Sequence, residues 1–86
     1  MIAVKELVWD DWNKAHIAKH KVLPKEVEEV CHGIFKAIES YRERLQIVGR
    51  TKNGRKLIII LSPEDRELKK YGSGIYYPIT AFEEVK

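Results

Sequence analysis

Two histidines, His16 and His20, stand four residues apart in a stretch that contains no helix breaker. On a helix this spacing puts both imidazoles on one face, where together they could bind one metal ion. Because no third ligand stands nearby and the pair lacks the glutamate of a zincin motif, we predict no metal site. The alternative is that His16 is a hydrogen-bonded packing residue beside Trp12, while His20 exchanges protons near neutral pH.

Arg50 and Arg55 flank the dipeptide Asn53-Gly54, and both are candidates for contact with phosphate. A guanidinium group binds phosphate through two parallel hydrogen bonds, whereas a lysine offers only a point charge. The two arginines belong to a basic segment, 41–56, with six Lys and Arg residues against one Glu, a local charge of +5. This pattern predicts a polyanionic partner. The alternative is a solvated, charged hairpin of a kind common on small β proteins.

Other polar residues give weaker indications. Glu28 and Glu29 are adjacent, so on a helix they point about 100° apart and cannot form a close acid/base pair. No Walker A loop, GxGxxG motif or serine elbow is present, so nucleotide hydrolysis and acyl transfer find no support. Four hydroxyl side chains could stack on bases, donate hydrogen bonds or simply border the core: Tyr71, Tyr76, Tyr77 and Thr80.

The elements that must position these residues begin with a short strand and two helices. Residues 4–9 alternate like an edge strand, and Asp10 or Asp11 would cap a helix over 11–20. Pro24 suits the first turn of a second helix, because its φ is fixed and an amide there has no helical partner. Gly33 would end that helix in a left-handed conformation. The residues expected to face the core are Val27, Val30 and Cys31.

After Gly33 the hydrophobic period changes to two. Asn53-Gly54 predicts a type I′ hairpin, since both residues tolerate positive φ. The continuous apolar run 57–61 predicts a central strand that is covered on both faces. A polar loop over 62–74 follows, and then a last strand over 75–82 with Pro78 at an edge or a bulge.

Composition limits the class of protein. The 86 residues are 44% hydrophobic and 34% charged, which is enough apolar surface for one small domain. The net charge of +3 is too small by itself to identify a nucleic-acid binder. A single cysteine, Cys31, excludes an intramolecular disulfide and fits a reducing compartment. Since no signal peptide or membrane span is recognisable, we expect a cytoplasmic protein.

Three blocks, in this order, resemble the BrnT family of bacterial toxins: WDDWNKAHIAKHKVLPKEVEEV, IVGRTKNGRKLIIIL and YPITA. The first two follow the patterns W-D-x-x-N-x-x-H-I-x-x-H-x-V and G-R-T-x-x-G-R, and the third follows the start of a terminal I-[ST]-A-R strand. The combination covers most of the chain. The residues that match in the first two blocks are Trp9, Asp10, Asn13, His16, Ile17, His20, Val22, Glu26, Glu29, Gly49, Arg50, Thr51, Gly54 and Arg55.

The resemblance implies a single RelE-like α+β domain over 1–86, with two N-terminal helices packed on an antiparallel sheet of about four strands. It also implies a metal-independent ribonuclease without cofactors, held inactive by a cognate antitoxin in a hetero-oligomer, or forming a homodimer. In such an enzyme His20 would carry the proton, and Arg50 and Arg55 would hold the phosphate. The side chains assigned to binding the RNA substrate are Lys19, Lys21, Lys52, Tyr77 and Thr80.

Phe82 departs from the family pattern, because it stands where the family carries an arginine. A benzyl ring cannot replace a guanidinium group that binds phosphate. A second hypothesis is therefore a catalytically weakened or inactive interaction module that binds an antitoxin-like partner. A third is a bare nucleic-acid binder, against which the acidic segment 24–40, with a local charge of −2, argues.

Overall fold

A five-stranded sheet with two helices on one face forms the domain, and the computed structural model describes residues 2–85. The sheet order is β1-β5-β4-β3-β2, and every neighbouring pair is antiparallel except β1 and β5. None of the helices in this range is long and apolar enough to cross a membrane. The elements are β1 (Glu6–Leu7), α1 (Asp11–Ala18), α2 (Pro24–Cys31), β2 (Phe35–Glu39), a 3₁₀ turn (Tyr41–Glu43), β3 (Leu45–Arg50), β4 (Lys56–Ser62) and β5 (Ile75–Glu83).

The predicted α+β class with two helices on a sheet is confirmed. The fifth strand is β1, which is shorter than the predicted 4–9 and runs parallel to the start of β5. The mixed sheet arises because β1 and β5 are joined through the whole domain rather than by a hairpin, so antiparallel pairing is not imposed.

Strand β4 lies at the centre of the sheet, as the apolar run predicted. Leu57, Ile59 and Leu61 are fully buried against the helices, with Ile17, Val27 and Val30 in the same core. The prediction that both faces are covered is wrong. The alternate residues Ile58 and Ile60 are only half-buried, because the helices cover one face of the sheet.

Helix α1 is fixed at its start by a reciprocal cap. Asp10 Oδ1 accepts the Asn13 N–H at 2.9 Å, and Asn13 Oδ1 accepts the Asp10 N–H at 2.9 Å. The helix ends at Ala18, two residues before the predicted end at His20. It stops there because Lys21 adopts the left-handed conformation, with φ of 59°.

Helix α2 starts at Pro24 and buries Val27, Val30 and Cys31, as predicted. Its first turn is closed by Glu26, whose Oε1 accepts the Leu23 N–H at 3.0 Å. The prediction of a left-handed Gly33 is wrong, since among the glycines of residues 2–85 only Gly54 and Gly74 have positive φ. Gly33 is instead close-packed: an added Cβ would lie 3.0 Å from the Glu29 carbonyl oxygen.

The predicted hairpin connects β3 and β4, but its turn is not type I′. Gly54 has φ of 86°, whereas Asn53 is not among the residues with positive φ. The Gly54 N–H donates to the Thr51 carbonyl at 2.9 Å, and the Thr51 N–H donates to the Arg55 carbonyl at 2.9 Å. These bonds close a three-residue loop with a left-handed glycine, the next commonest hairpin connection.

Strand β5 follows the predicted polar loop and extends one residue beyond the predicted end, to Glu83. The loop is held across its base by an isolated bridge between Glu64 and Lys70. Pro78 lies where the pairing of β5 with β4 shifts register, so its missing N–H costs no regular ladder bond. The placement at a bulge confirms the prediction.

Candidate functional site

A groove of about 620 Å³ lies between α2 and the β3–β4 hairpin, and we call it the hairpin groove. It combines three cations, two carboxylates and one imidazole around a concave surface. Such a mixture suits an anionic ligand that undergoes proton transfer. The lining residues are Lys25, Glu28, Glu29, His32, Gly33, Arg50, Thr51 and Lys52.

The hairpin supplies Arg50 and Lys52 to this groove. Arg50 Nη1 donates to the Gly54 carbonyl at 2.9 Å, which orients the guanidinium group while its side chain stays exposed. The Lys52 backbone N–H donates to Glu29 Oε1 at 3.1 Å, so a carboxylate of α2 holds the turn against the helix. The lysine side chain itself is left for a ligand. The structure thus brings together two of the predicted site residues.

The residue that directly follows α2 is His32, which the sequence analysis did not select. Its Nδ1 lies 3.2 Å from Glu28 Oε1 and 3.1 Å from the Glu28 carbonyl oxygen. The other carboxylate oxygen, Oε2, accepts the Trp9 indole N–H at 2.8 Å. Glu28 is therefore fixed from two sides and fixes the imidazole in turn, which leaves Nε2 for proton exchange. The sequence signal was the four-residue spacing of Glu28 and His32 on a helix.

His20 belongs to a different surface, a line of planar side chains that we call the aromatic row. Trp12 and His16 stack with ring centroids 5.2 Å apart and planes 3° apart, which confirms that His16 packs beside Trp12 but does not test its predicted hydrogen bond. His16 and His20 meet edge to face at 5.7 Å, and His20 lies 6.1 Å from Phe82. In the part of the chain that the structure describes, no group of three or more His, Cys, Asp or Glu residues could hold a metal ion.

The Arg55 side chain forms hydrogen bonds that connect distant parts of the fold. Its Nη1 donates to both carboxylate oxygens of Glu26 at 2.7 Å, and its Nε donates to Glu83 at 3.2 Å. Its Nη2 donates to the Lys21 carbonyl at 3.1 Å, beside His20 in the chain. The hydrogen bond with Glu26 raises the pKa of Arg55 above its usual value. Two carboxylates already neutralise this guanidinium, so it has little charge left for a phosphate.

The predicted substrate-binding residues are spread over several surfaces. Tyr77 is 4% exposed, and its hydroxyl donates to the Asp10 carboxylate at 3.0 Å. Burial, with the Asp10 hydrogen bond, raises the pKa of Tyr77. Thr80 faces Ile60 of β4 across the sheet, half-buried. Lys19 lines a small hollow of about 170 Å³ with Trp12.

Of the three groups predicted to converge, Arg55 and His20 have neighbouring contacts, because Arg55 donates to the Lys21 carbonyl and to Glu83, which adjoin His20 and its contact Phe82 in the chain. Arg50 lines the hairpin groove, His20 lies in the aromatic row, and Arg55 connects the turn after α1 to the end of β5. The imidazole that shares a concave surface with Arg50 is His32.

No protein-family model matches the chain, and comparisons with curated proteins and with solved structures also give no match. The resemblance to BrnT toxins therefore rests on the three sequence blocks alone.

Proposed function

We propose that this protein is a toxin-like, metal-independent ribonuclease of RelE-like fold, neutralised by a cognate antitoxin, and that RNA binds in the hairpin groove. The observation that carries this proposal is the shared groove of Arg50, Lys52 and Lys25 around the oriented imidazole of His32. Cations bind the phosphodiester, and a histidine moves the proton that the reaction requires.

The reaction is an internal transphosphorylation. His32 Nε2 takes the proton of the ribose 2′-hydroxyl, the 2′-oxygen bonds to phosphorus, and the bond from phosphorus to the 5′-oxygen breaks. The leaving 5′-oxygen takes a proton from the ammonium group of Lys25 or Lys52, and a 2′,3′-cyclic phosphate remains. The Arg50 guanidinium stabilises the negative charge that develops on the phosphate oxygens. Glu28 keeps the imidazole in the tautomer with the proton on Nδ1.

The aromatic row would bind the bases of the same RNA. Trp12 is 44% exposed and Phe82 is 36% exposed, so both offer ring surface to solvent. Single-stranded RNA is commonly bound by stacking its bases on such rings, with lysines beside them for the backbone. Lys19 and Lys21 are exposed next to the row. In this arrangement His20 contributes to RNA binding. It is also the alternative candidate to His32 for the residue that transfers the proton.

The test is cleavage of single-stranded RNA by the purified protein in the presence of a metal chelator. We expect a 2′,3′-cyclic phosphate end, and loss of the product with His32→Asn and with Arg50→Ala. A folded protein that binds RNA with a steep salt dependence but leaves it intact would instead identify a bare nucleic-acid binder. Cleavage that survives His32→Asn and is lost with His20→Asn would move the active site to the aromatic row.

The second candidate is a noncatalytic module that binds an antitoxin-like chain, and the observation that favours it is the face of the sheet opposite the helices. Val48, Ile58 and Phe82 are neighbours in one row across β3, β4 and β5. Ile38 on β2 lies on the same face and is 62% exposed. A contiguous apolar patch of this kind typically marks a protein interface.

Affinity purification of the tagged protein from its native cells tests the second candidate, with co-expression of any small protein that co-purifies. A tight complex that Ile38→Glu weakens, together with no RNA cleavage by the free protein, would support the module. If no protein co-purifies and RNA is cut, the ribonuclease proposal stands and the module does not.

A further inference from the structure

One edge of the sheet is open to pairing with another strand. Strand β2 lies outermost, beyond β3, and the two strands keep an unbroken register from Phe35 opposite Gly49 to Glu39 opposite Leu45. The strand contains no proline, and the opposite edge, β1, is only two residues long. Bulges, prolines and very short strands are the usual means by which proteins protect an edge. Within residues 2–85, β2 is therefore the edge that is long and regular enough to accept a strand.

Three residues of β2 turn their backbone hydrogen-bonding groups toward this open edge. The N–H of Ser40, directly after the strand, donates to the Arg44 carbonyl at 2.7 Å, on the side of β3. Along a strand, the N–H and C=O groups of successive residues point to alternate sides. Lys36 and Ile38 therefore face β3 as Ser40 does, and the residues between them face outward. The outward-facing residues are Phe35, Ala37 and Glu39.

The side chains of β2 are incompletely buried on both faces of the sheet. On the helix side, Phe35 and Ala37 contact the core but remain half-buried. On the opposite face Ile38 is exposed, and Ile34, directly before the strand, is 97% exposed. A further strand beside β2 would remove apolar surface from water on both faces and would pair the free backbone groups.

From these features we infer that β2 pairs with β2 of a second copy of this chain, antiparallel, about a two-fold axis at Ala37. In this register Ala37 lies opposite Ala37 of the second copy, and Phe35 lies opposite Glu39. Each opposed pair of outward-facing residues exchanges two backbone hydrogen bonds. Because the contact uses the same edge of both copies, it closes as a dimer. The inference does not depend on RNA cleavage in the hairpin groove.

The side chains that this register brings together are compatible. Ala37 is small, so the strands have room to approach at the axis. Lys36 lies opposite Ile38 of the second copy, where its aliphatic stem packs on the isoleucine. The charges of Lys36 and Glu39 cancel, so the strand carries no net charge although the whole chain carries +3. Two copies therefore meet at a neutral edge, with no like charges directly opposite.

The neighbouring two-fold registers are less favourable. An axis at Lys36 would place the two lysines directly opposite each other, which is destabilising. An axis at Ile38 would place Phe35 opposite Tyr41, where the chain has left the strand for the 3₁₀ turn. The axis at Ala37 is the one that pairs all three outward-facing residues.

The experiment measures self-association and amide exchange of the purified protein. Sedimentation equilibrium over a range of concentrations gives the dissociation constant of the dimer. We expect a reversible dimer, in which the amides of Phe35, Ala37 and Glu39 exchange with solvent more slowly as the concentration rises. The amides of Lys36 and Ile38 should change little, because β3 already pairs them in the single chain.

Variants of β2 test the interface and its register. Ala37→Pro removes an outward-facing N–H without removing a bond to β3, and we expect the dissociation constant to rise at least about tenfold. Ile38→Lys places a lysine opposite Lys36 of the second copy and should also weaken the dimer. Adding Lys36→Glu should restore it, because each introduced lysine then lies opposite a glutamate. Val85→Ser, at an exposed apolar residue outside β2, is the control that should leave the dissociation constant unchanged.

Three results would overturn the inference: a protein that is monomeric at every concentration, a dimer that Ala37→Pro leaves intact, and a double variant as weak as Ile38→Lys alone. Protection of the outward-facing amides only in the presence of another protein would also overturn it and would assign the edge to that protein. Melting temperatures show whether each variant is folded. Lys36 and Ile38 are exposed, so the charge variants test the interface even if the proline variant does not fold.

Discussion

Glu28 in α2 and His32, the residue that caps its C-terminus, lie four residues apart, with Nδ1 of the imidazole 3.2 Å from Oε1 of the carboxylate. The same carboxylate accepts the Trp9 indole N–H at 2.8 Å, which restricts how it can rotate. A histidine oriented in this way by a carboxylate is a common proton carrier.

The first prediction concerns this pair. His32→Asn should lower the rate constant of RNA cleavage about 100-fold or more, because general acid/base catalysis typically contributes that much. Glu28→Gln should lower it about tenfold, since only the orientation of the imidazole is lost. Single-turnover kinetics separate these effects from binding.

Glu67→Gln is the matched control, because Glu67 is exposed and faces only Lys69 at 3.9 Å. His20→Asn provides the contrast, and we expect it to raise KM rather than to lower kcat. A kcat that falls with His20→Asn and not with His32→Asn would contradict the assignment.

The second prediction assigns Arg55 to stability. Arg55→Lys cannot reproduce the hydrogen bonds to Glu26, Glu83 and the Lys21 carbonyl, and it leaves the Glu26 carboxylate poorly compensated. We expect the free energy of unfolding to fall by about 2 kcal/mol, the magnitude typical of hydrogen bonds to charged groups. Urea denaturation measures it. Arg50→Lys, at an exposed position, should change stability by less than about 0.5 kcal/mol. Equal effects at the two positions would contradict this assignment.

The third prediction is a pH dependence that comes from Glu26. Partial burial acts to raise the pKa of this carboxyl, but the hydrogen bond from the Leu23 N–H and the contact with Arg55 outweigh it, so the pKa lies below the usual 4.5. A lowered pKa in the folded state means that the charged form stabilises the fold above the unfolded pKa. That stability is lost as the pH falls from about 4.5 through the folded pKa.

Thermal unfolding of the wild type and of Glu26→Gln over this range measures the effect. The wild type should be the more stable protein at neutral pH, and the difference should shrink as the pH is lowered below about 4.5. A constant difference at every pH would show that charge on Glu26 is not the cause.

The sequence predicted the elements well where one local signal decides the structure. The cap at Asp10, the proline at Pro24 and the apolar run of β4 each act within a few residues, and the structure has each element there. The turn at Asn53-Gly54 was placed correctly with the wrong type, because Thr51 pairs with Arg55 and leaves three loop residues, for which one left-handed glycine suffices, whereas a type I′ turn has two.

The site was harder to predict, because its contacts join distant segments. Arg55 lies 29 residues from Glu26 and 28 from Glu83, and no spacing rule connects them. Because both carboxylates bind Arg55, this arginine has a structural role, although its position beside the turn suggested phosphate binding. His32 entered the site because α2 packs against β3, which carries Arg50.

The fourth prediction concerns the single thiol. Burial, followed by the nearby Glu28 carboxylate, raises the pKa of Cys31 from 9.0 to about 12. Thiolate is the reactive form, so a thiol reagent at neutral pH should react only when α2 opens away from the sheet. Labelling should therefore be slow in buffer and rapid in urea. Rapid labelling of the native protein would mean that α2 is far less stable than its packing indicates.

The fifth prediction concerns Asn13, which is fully buried at the junction of α1 with β5. Its Nδ2 donates to the carbonyls of Val8 and Pro78 at 3.0 and 3.1 Å, in addition to the reciprocal cap with Asp10. Asn13→Ala leaves both carbonyls and the Asp10 N–H without their partner, so we expect a loss of about 3 kcal/mol.

Urea denaturation measures the loss, and Asn53→Ala, in the exposed turn, is the control that should be nearly neutral.

The result also bears on the resemblance to BrnT, whose first block includes Trp9, Asp10 and Asn13. Each of these side chains makes a contact within the fold: Trp9 with Glu28, and Asp10 with Asn13 and Tyr77. A large loss of stability would mean that this block resembles BrnT because its residues stabilise the same fold. If Asn13→Ala leaves stability unchanged and abolishes RNA cleavage, the block instead records a shared site, and the assignment of catalysis to the hairpin groove has to be revised.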